Sequence, residues 1–177
     1  MKKLCLMFIA TFMLYNPSVF ASAFYNCKSK YALCTTAACK PVPGKKDLVS
    51  CNCSVHDGYS VGASRCKGAK QTKEGEVVYS RYYPIKQYVR CSNSRPWAWC
   101  LDKPCIVDKK DPTKASCACT IAKNMGDYVI VAKQYSPKVC TTGIISSATV
   151  QQSQQITDFL KTQKTLQPFP IKVLNKN

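Results

Sequence analysis

Twelve of the thirteen cysteines fall into two sets of six with nearly the same spacing. The first set is Cys27, Cys34, Cys39, Cys51, Cys53 and Cys66; the second is Cys91, Cys100, Cys105, Cys117, Cys119 and Cys140. The gaps run C-x6-C-x4-C-x11-C-x-C-x12-C and C-x8-C-x4-C-x11-C-x-C-x20-C, and the central C-x4-C-x11-C-x-C is the same in both. The expectation is a tandem pair of homologous small β modules, each a hairpin or meander held by three disulfides. Each module has about 50 residues, a size at which a hydrophobic core alone rarely suffices and crosslinks make up the difference.

The N-terminus reads as an export signal covering residues 1–23. Met1-Lys2-Lys3 is basic, Leu4 to Tyr15 is apolar, and Ala21-Ser22-Ala23 is a small-residue cleavage site. Twelve apolar residues are too few to span a bilayer as a helix. Cys5 would leave with this peptide, and the remaining twelve cysteines form an even set. In an exported chain such a count reads as a disulfide framework, and the compartment expected is periplasmic or extracellular, with a bacterial signal. The other boundaries expected are repeat 1 over 24–75, a Tyr/Val-rich connecting strand over 76–90, repeat 2 over 91–140, and a helix with an extended tail over 141–177.

Period-two patterning locates the strands. In Asp47–Val55 (DLVSCNCSV) and Ala115–Ile121 (ASCACTI) both cysteines of each C-x-C lie on one face. Lys30–Ala37 is the expected hairpin partner in repeat 1, with the turn at Pro41–Lys46, while Lys109-Lys110-Asp111-Pro112 takes the turn in repeat 2. Cysteines two apart on one strand point the same way and need separate partners. Placing Cys39 opposite Cys51 and Cys34 opposite Cys53 leaves Cys27 with Cys66. By analogy the second set pairs Cys105 with Cys117, Cys100 with Cys119, and Cys91 with Cys140. Asp127–Lys133 reads as a further strand. Thr149–Gln163 reads as a helix, opened by a T-x-x-Q capping box at Thr149 and Gln152.

Sites for chemistry are sparse. Gly58-Tyr59-Ser60-Val61-Gly62 matches a nucleophile-elbow pattern, but the single histidine, His56, precedes the serine and none follows; the stretch reads as a glycine-rich turn. His56 and Asp57, adjacent on a strand, would face opposite ways. No C-x2-C knuckle is present for zinc or redox work. The reading is a non-enzyme without metal or cofactor.

Charge points to partners. The chain has 26 Lys and Arg against 9 Asp and Glu, a formal charge of +17. Most of the cations are lysine, suited to diffuse attraction rather than forked recognition. The expected function is an exported binding protein that engages an anionic envelope polymer, a glycan or an acidic protein. The alternative is an inhibitor or toxin-like protein acting on another exported protein. The candidate contacts are Lys45, Lys46, Lys109 and Lys110 on the two hairpin turns, with Arg95, Trp97, Trp99 and Tyr82 as an aromatic platform; the competing reading of those aromatics is core packing. No motif supports nucleic acid.

Overall fold

The computed structural model describes residues 24–83, 85–92, 94–166 and 171–175. The expected signal peptide, Pro84, Pro168 and Pro170 lie outside the described residues. The described chain is mainly β, with one α-helix among thirteen strands. The strands are β1 (Tyr25–Leu33), β2 (Ala38–Pro41), β3 (Leu48–Gly62), β4 (Lys70–Gln71), β5 (Glu76–Arg81), β6 (Gln87–Cys91), β7 (Trp97–Trp99), β8 (Pro104–Val107), β9 (Lys114–Ala122), β10 (Tyr128–Val131), β11 (Ile144–Ile145), β12 (Ala148–Thr149) and β13 (Lys172–Val173). The helix α1 (Val150–Lys161) follows β12 directly.

Strand β3 organises the molecule. Val49, Cys51 and Cys53 point inward and are buried, while Asn52 and Ser54 between them are exposed. One edge of β3 pairs with β2 and then β1; the other pairs with β9. Strand β5 bridges β1 and β8, and β8 returns to β9. The pairing therefore closes on itself through β3, β1, β5, β8 and β9, which removes open edges from the strands of that ring.

The six disulfides join Cys27 to Cys66, Cys34 to Cys53, Cys39 to Cys51, Cys91 to Cys140, Cys100 to Cys119 and Cys105 to Cys117. These are the pairs set out above from strand geometry. Sulfur fills the interior that small modules cannot fill with large side chains. Eight of the fifteen buried residues in the largest core cluster are cysteine, the rest being Ala and Val. Cys34 and Cys117 of the two sets approach to 3.4 Å between sulfurs.

Positions 66 residues apart occupy corresponding places. Cys51 lies opposite Cys117, with Ser50 opposite Ala118 and Asn52 opposite Ser116, so the β3–β9 ladder is symmetric about the Cys51–Cys117 pair. The parallel pair Ala32–Ser80 has its counterpart in the parallel bridge Ala98–Ser146. Val78 lies opposite Cys105 in the second half, and Ile144 opposite Cys39 in the first. Each half thus lends the strand that follows it to its partner. Thr36 (φ 57°) and Asp102 (φ 59°) make the same left-handed turn in the two halves.

The second sheet runs β12, β10, β6, β13. Its Val89, Cys91, Tyr128 and Ile130 bury against Trp97. Helix α1 has its capping box in place, with Thr149 Oγ1 accepting from Gln152 N–H and the Gln152 side chain accepting from Thr149 N–H. Its Ile156 and Leu160 pack on Val61 and Leu166.

Several sequence readings need correction. The first candidate strand begins at Tyr25 and ends at Leu33, and β2 is a separate strand on the same edge of β3. The glycine-rich turn at 58–62 does not exist: β3 runs through it, because β1 pairs with β3 as far as Tyr25 opposite Gly62. Ser60 is fully buried there. The connecting segment, readable as one strand or as two broken near Pro84, is two strands in different sheets, β5 and β6. The halves meet edge to edge through β3 and β9.

Candidate functional site: a lysine-rimmed sheet face

Strand alternation sets a face on β4, β5 and β8. On β5, Val78 and Ser80 are buried, which turns Val77 and Tyr79 outward. On β8, Cys105 and Val107 are buried, which turns Pro104 and Ile106 outward. Val77 lies opposite Ile106 and Tyr79 opposite Pro104, so the four form one apolar floor, with Ile106 37% exposed. Lys70 of β4 is directly opposite Val77. Lys67 Nζ stands 4.8 Å from the centre of the Tyr79 ring, a cation–π distance.

Two more lysines rim the floor. Lys73 is exposed in a turn closed by reciprocal backbone bonds between Thr72 and Gly75, at 2.9 and 3.2 Å. The Lys109 stem lies beside Gly75: a Cβ added there would stand 3.6 Å from Lys109 Cε. The carboxylate of Glu76 at this end is held by Lys30 at 2.6 Å. None of Lys67, Lys70, Lys73 and Lys109 takes part in a described ion pair. The floor is not imposed by the fold, since the corresponding positions in the other half are Gly143, Ile145, Ala38 and Lys40.

The expected contacts do not assemble into one patch. Lys45 and Lys46 sit in the β2–β3 turn, and Lys109 and Lys110 in the β8–β9 turn; all four are exposed. The antiparallel β3–β9 ladder spans seven residue pairs between these turns, about 20 Å at a strand's rise per residue. Lys109 faces the β4–β5–β8 surface, while Lys110 N–H donates to Asp108 Oδ1 in its own turn. In the same turn Lys114 hydrogen-bonds Asp111 and holds its carboxyl down at about 2.

The aromatic platform is overturned for Trp97, which is 2% exposed and stacks on Tyr128 at 6.2 Å between centroids. Trp99 is half-buried, and Arg95 is exposed ahead of β7. Tyr82 is packed beside Ile156 and Leu160, and burial, then the charge of Tyr88, pushes its phenol well above the usual tyrosine range. His56 Nε2 is 2.8 Å from Ser54 Oγ, and its ring stacks on Tyr31. Cysteine sulfurs cluster closely enough to resemble a metal site, as at Cys34, Cys100 and Cys119. All are disulfide-bonded, so none is the thiolate that a metal needs.

Arg81 and Asp102 form a nearly buried pair at 2.6 Å. Asp102 Oδ2 also accepts from the backbone N–H of Ala63 at 2.7 Å and of Ser64 at 2.8 Å, while Arg81 donates to Ser64 O and Tyr25 O. This clamp fixes the segment after β3 that carries Cys66, and with it the path towards Lys67 and Lys70. The sequence signal for the face is Lys67, Lys70 and Lys73, three lysines within seven residues but never adjacent, unlike the lysine pairs of the two hairpin turns. Comparison with protein-family models, with curated proteins and with solved structures finds no match to this chain.

Proposed function

We propose that this chain is an exported, disulfide-locked binding protein, built from two copies of one module, that engages an anionic polymer through the β4–β5–β8 face. The observation that carries this reading is the meeting of Lys67, Lys70, Lys73 and Lys109 around Tyr79 and Ile106. Six of the nine acids are already engaged in ion pairs, which leaves the excess of lysine to face outward. Lysine's hydrated point charge suits a repeating polyanion, with the apolar floor free to accept the faces of sugar rings. Six disulfides fit a protein of the periplasm or extracellular space. No helix among the described residues is long and apolar enough to cross a membrane.

Binding to dextran sulfate, with uncharged dextran as control, tests the reading. Four lysine contacts give an affinity that falls roughly 50-fold between 50 and 200 mM salt by counterion release. Reversing Lys67, Lys70 and Lys109 to Glu abolishes the binding, whereas reversing Lys45 and Lys46 leaves most of it. Affinity that is flat with salt, or loss confined to the Lys45/Lys46 variant, contradicts it.

A further inference from the structure

The lysine-rimmed floor is one end of a longer row. Lys70 of β4 lies opposite Val77 of β5, Val77 opposite Ile106 of β8, Ile106 opposite Ser116 of β9, and Ser116 opposite Asn52 of β3. Residues directly opposite in paired antiparallel strands share a face of the sheet, so all five side chains stand on one side. Lys70, Ile106, Ser116 and Asn52 are exposed, and Val77 is half-buried. The four strand spacings from β4 to β3 give the row a length of about 19 Å. The duplicated fold does not impose this pattern, since the positions corresponding to Val77, Ile106 and Asn52 are Gly143, Lys40 and Ala118.

The chemistry changes in order along the row. A cation comes first, then two apolar side chains, then a hydroxyl, then an amide. Lys109 joins the cationic end, since its Cε and Ile106 Cγ2 both lie within 3.6 Å of a Cβ built on Gly75. The Ser116 hydroxyl is engaged once, with Ser50 Oγ at 2.7 Å, and keeps capacity for a second hydrogen bond; the exposed Asn52 amide offers both donors and an acceptor. A bare polyphosphate would use the lysines and nothing else. An acidic peptide anchors through side chains seated in pockets, and a pleated sheet face offers a floor instead. A sugar acid carries all three matching groups on one ring: an anionic group, an apolar face of C–H bonds, and hydroxyls. Resting on the reading that this face takes a polyanion, we infer that the polymer is an acidic glycan lying across the strands. Its anionic groups meet Lys70 and Lys109, its ring faces cover Val77 and Ile106, and its hydroxyls bond Ser116 and Asn52.

Titration calorimetry on the oxidised protein tests this with two polymers. Polygalacturonate oligomers carry a carboxylate and free hydroxyls on each ring; inorganic polyphosphate is a polyanion without rings. Ile106→Ser and Asn52→Ala each lower the glycan affinity roughly fivefold, as expected for one lost apolar or hydrogen-bonded contact. Neither changes the salt slope or the affinity for polyphosphate, because the lysines remain. Retained polyphosphate binding also reports that each variant is folded. Equal losses for both polymers in a variant with an unchanged unfolding midpoint overturn the inference and leave the charge-based reading standing, as does an undiminished glycan affinity in both variants. Tighter binding of a copolymer of glutamate and tyrosine than of the glycan, weakened by Ile106→Ser and untouched by Asn52→Ala, overturns it in favour of an acidic protein. No binding of either polyanion to the parent protein overturns the charge-based reading itself.

Discussion

Asp102 holds a left-handed backbone conformation (φ 59°) and turns its carboxylate onto Arg81 and two backbone amides. The pair is nearly enclosed, with side-chain exposures of 5% and 15%. Removing one partner strands the other charge, which costs far more than the pair gains against an apolar replacement. Asp102→Ala is expected to lower unfolding free energy by about 3 kcal/mol, read from the urea midpoint. Gly62 belongs to the same clamp: a Cβ there would stand 2.1 Å from Arg81 Nη1 and 2.2 Å from Asp102 Oδ1. Gly62→Ala should therefore destabilise by about 1–3 kcal/mol through overpacking, whereas Gly68→Ala, with nothing within 4 Å of the added Cβ, should lack that steric penalty. An unaffected Gly62→Ala protein would show that the clamp is looser than described. None of this was legible from residue spacing, because Arg81 and Asp102 carry no local motif. The cysteines were legible, since alternation alone puts the two sulfurs of each C-x-C on one side.

At the scale of elements, α1 and its capping box were readable because both are local: the box spans four residues, and Ile156 and Leu160 mark one face. The length of β3 was not readable. Gly58, at φ 129°, looks like a turn signal, yet the strand continues because β1 supplies partners on both sides of it. Trp97 and Lys67 illustrate the same limit for function. Whether an aromatic is wall or surface depends on what lies over it, and β10 covers Trp97 while Lys67 stands over Tyr79. The correspondence between halves makes a prediction of its own. Cys39–Cys51 and Cys105–Cys117 close loops of the same sequence separation, 12 residues, in corresponding hairpins. Replacing either pair by two alanines should cost about 3 kcal/mol from the unfolded chain's entropy alone, and the two losses should agree to within about 1 kcal/mol. Thermal unfolding of the two double variants reads this directly, and a large inequality would mean that the hairpins do different structural work.

For the whole molecule, closure of the sheet is a long-range property. It requires β5 to lie between β1 and β8, and β3 beside β9, placements that no window of sequence contains. The even cysteine count and shared spacing predicted covalent framework and fold class, but not the exchange of strands between halves. The excess of lysine was visible in composition, and the meeting of Lys67, Lys70 and Lys109 at the β4–β5–β8 face was not. Each of these features depends on the two cysteine sets being locked separately, so that Cys51 and Cys117 can face each other across β3 and β9 without being bonded. Peptide mapping of the unreduced protein by mass spectrometry, after digestion at low pH to prevent exchange, measures that state. The account predicts six bonds, three within residues 27–66 and three within 91–140, in the pairs given above. A bond joining the two sets, or free thiols among these twelve cysteines, would contradict it.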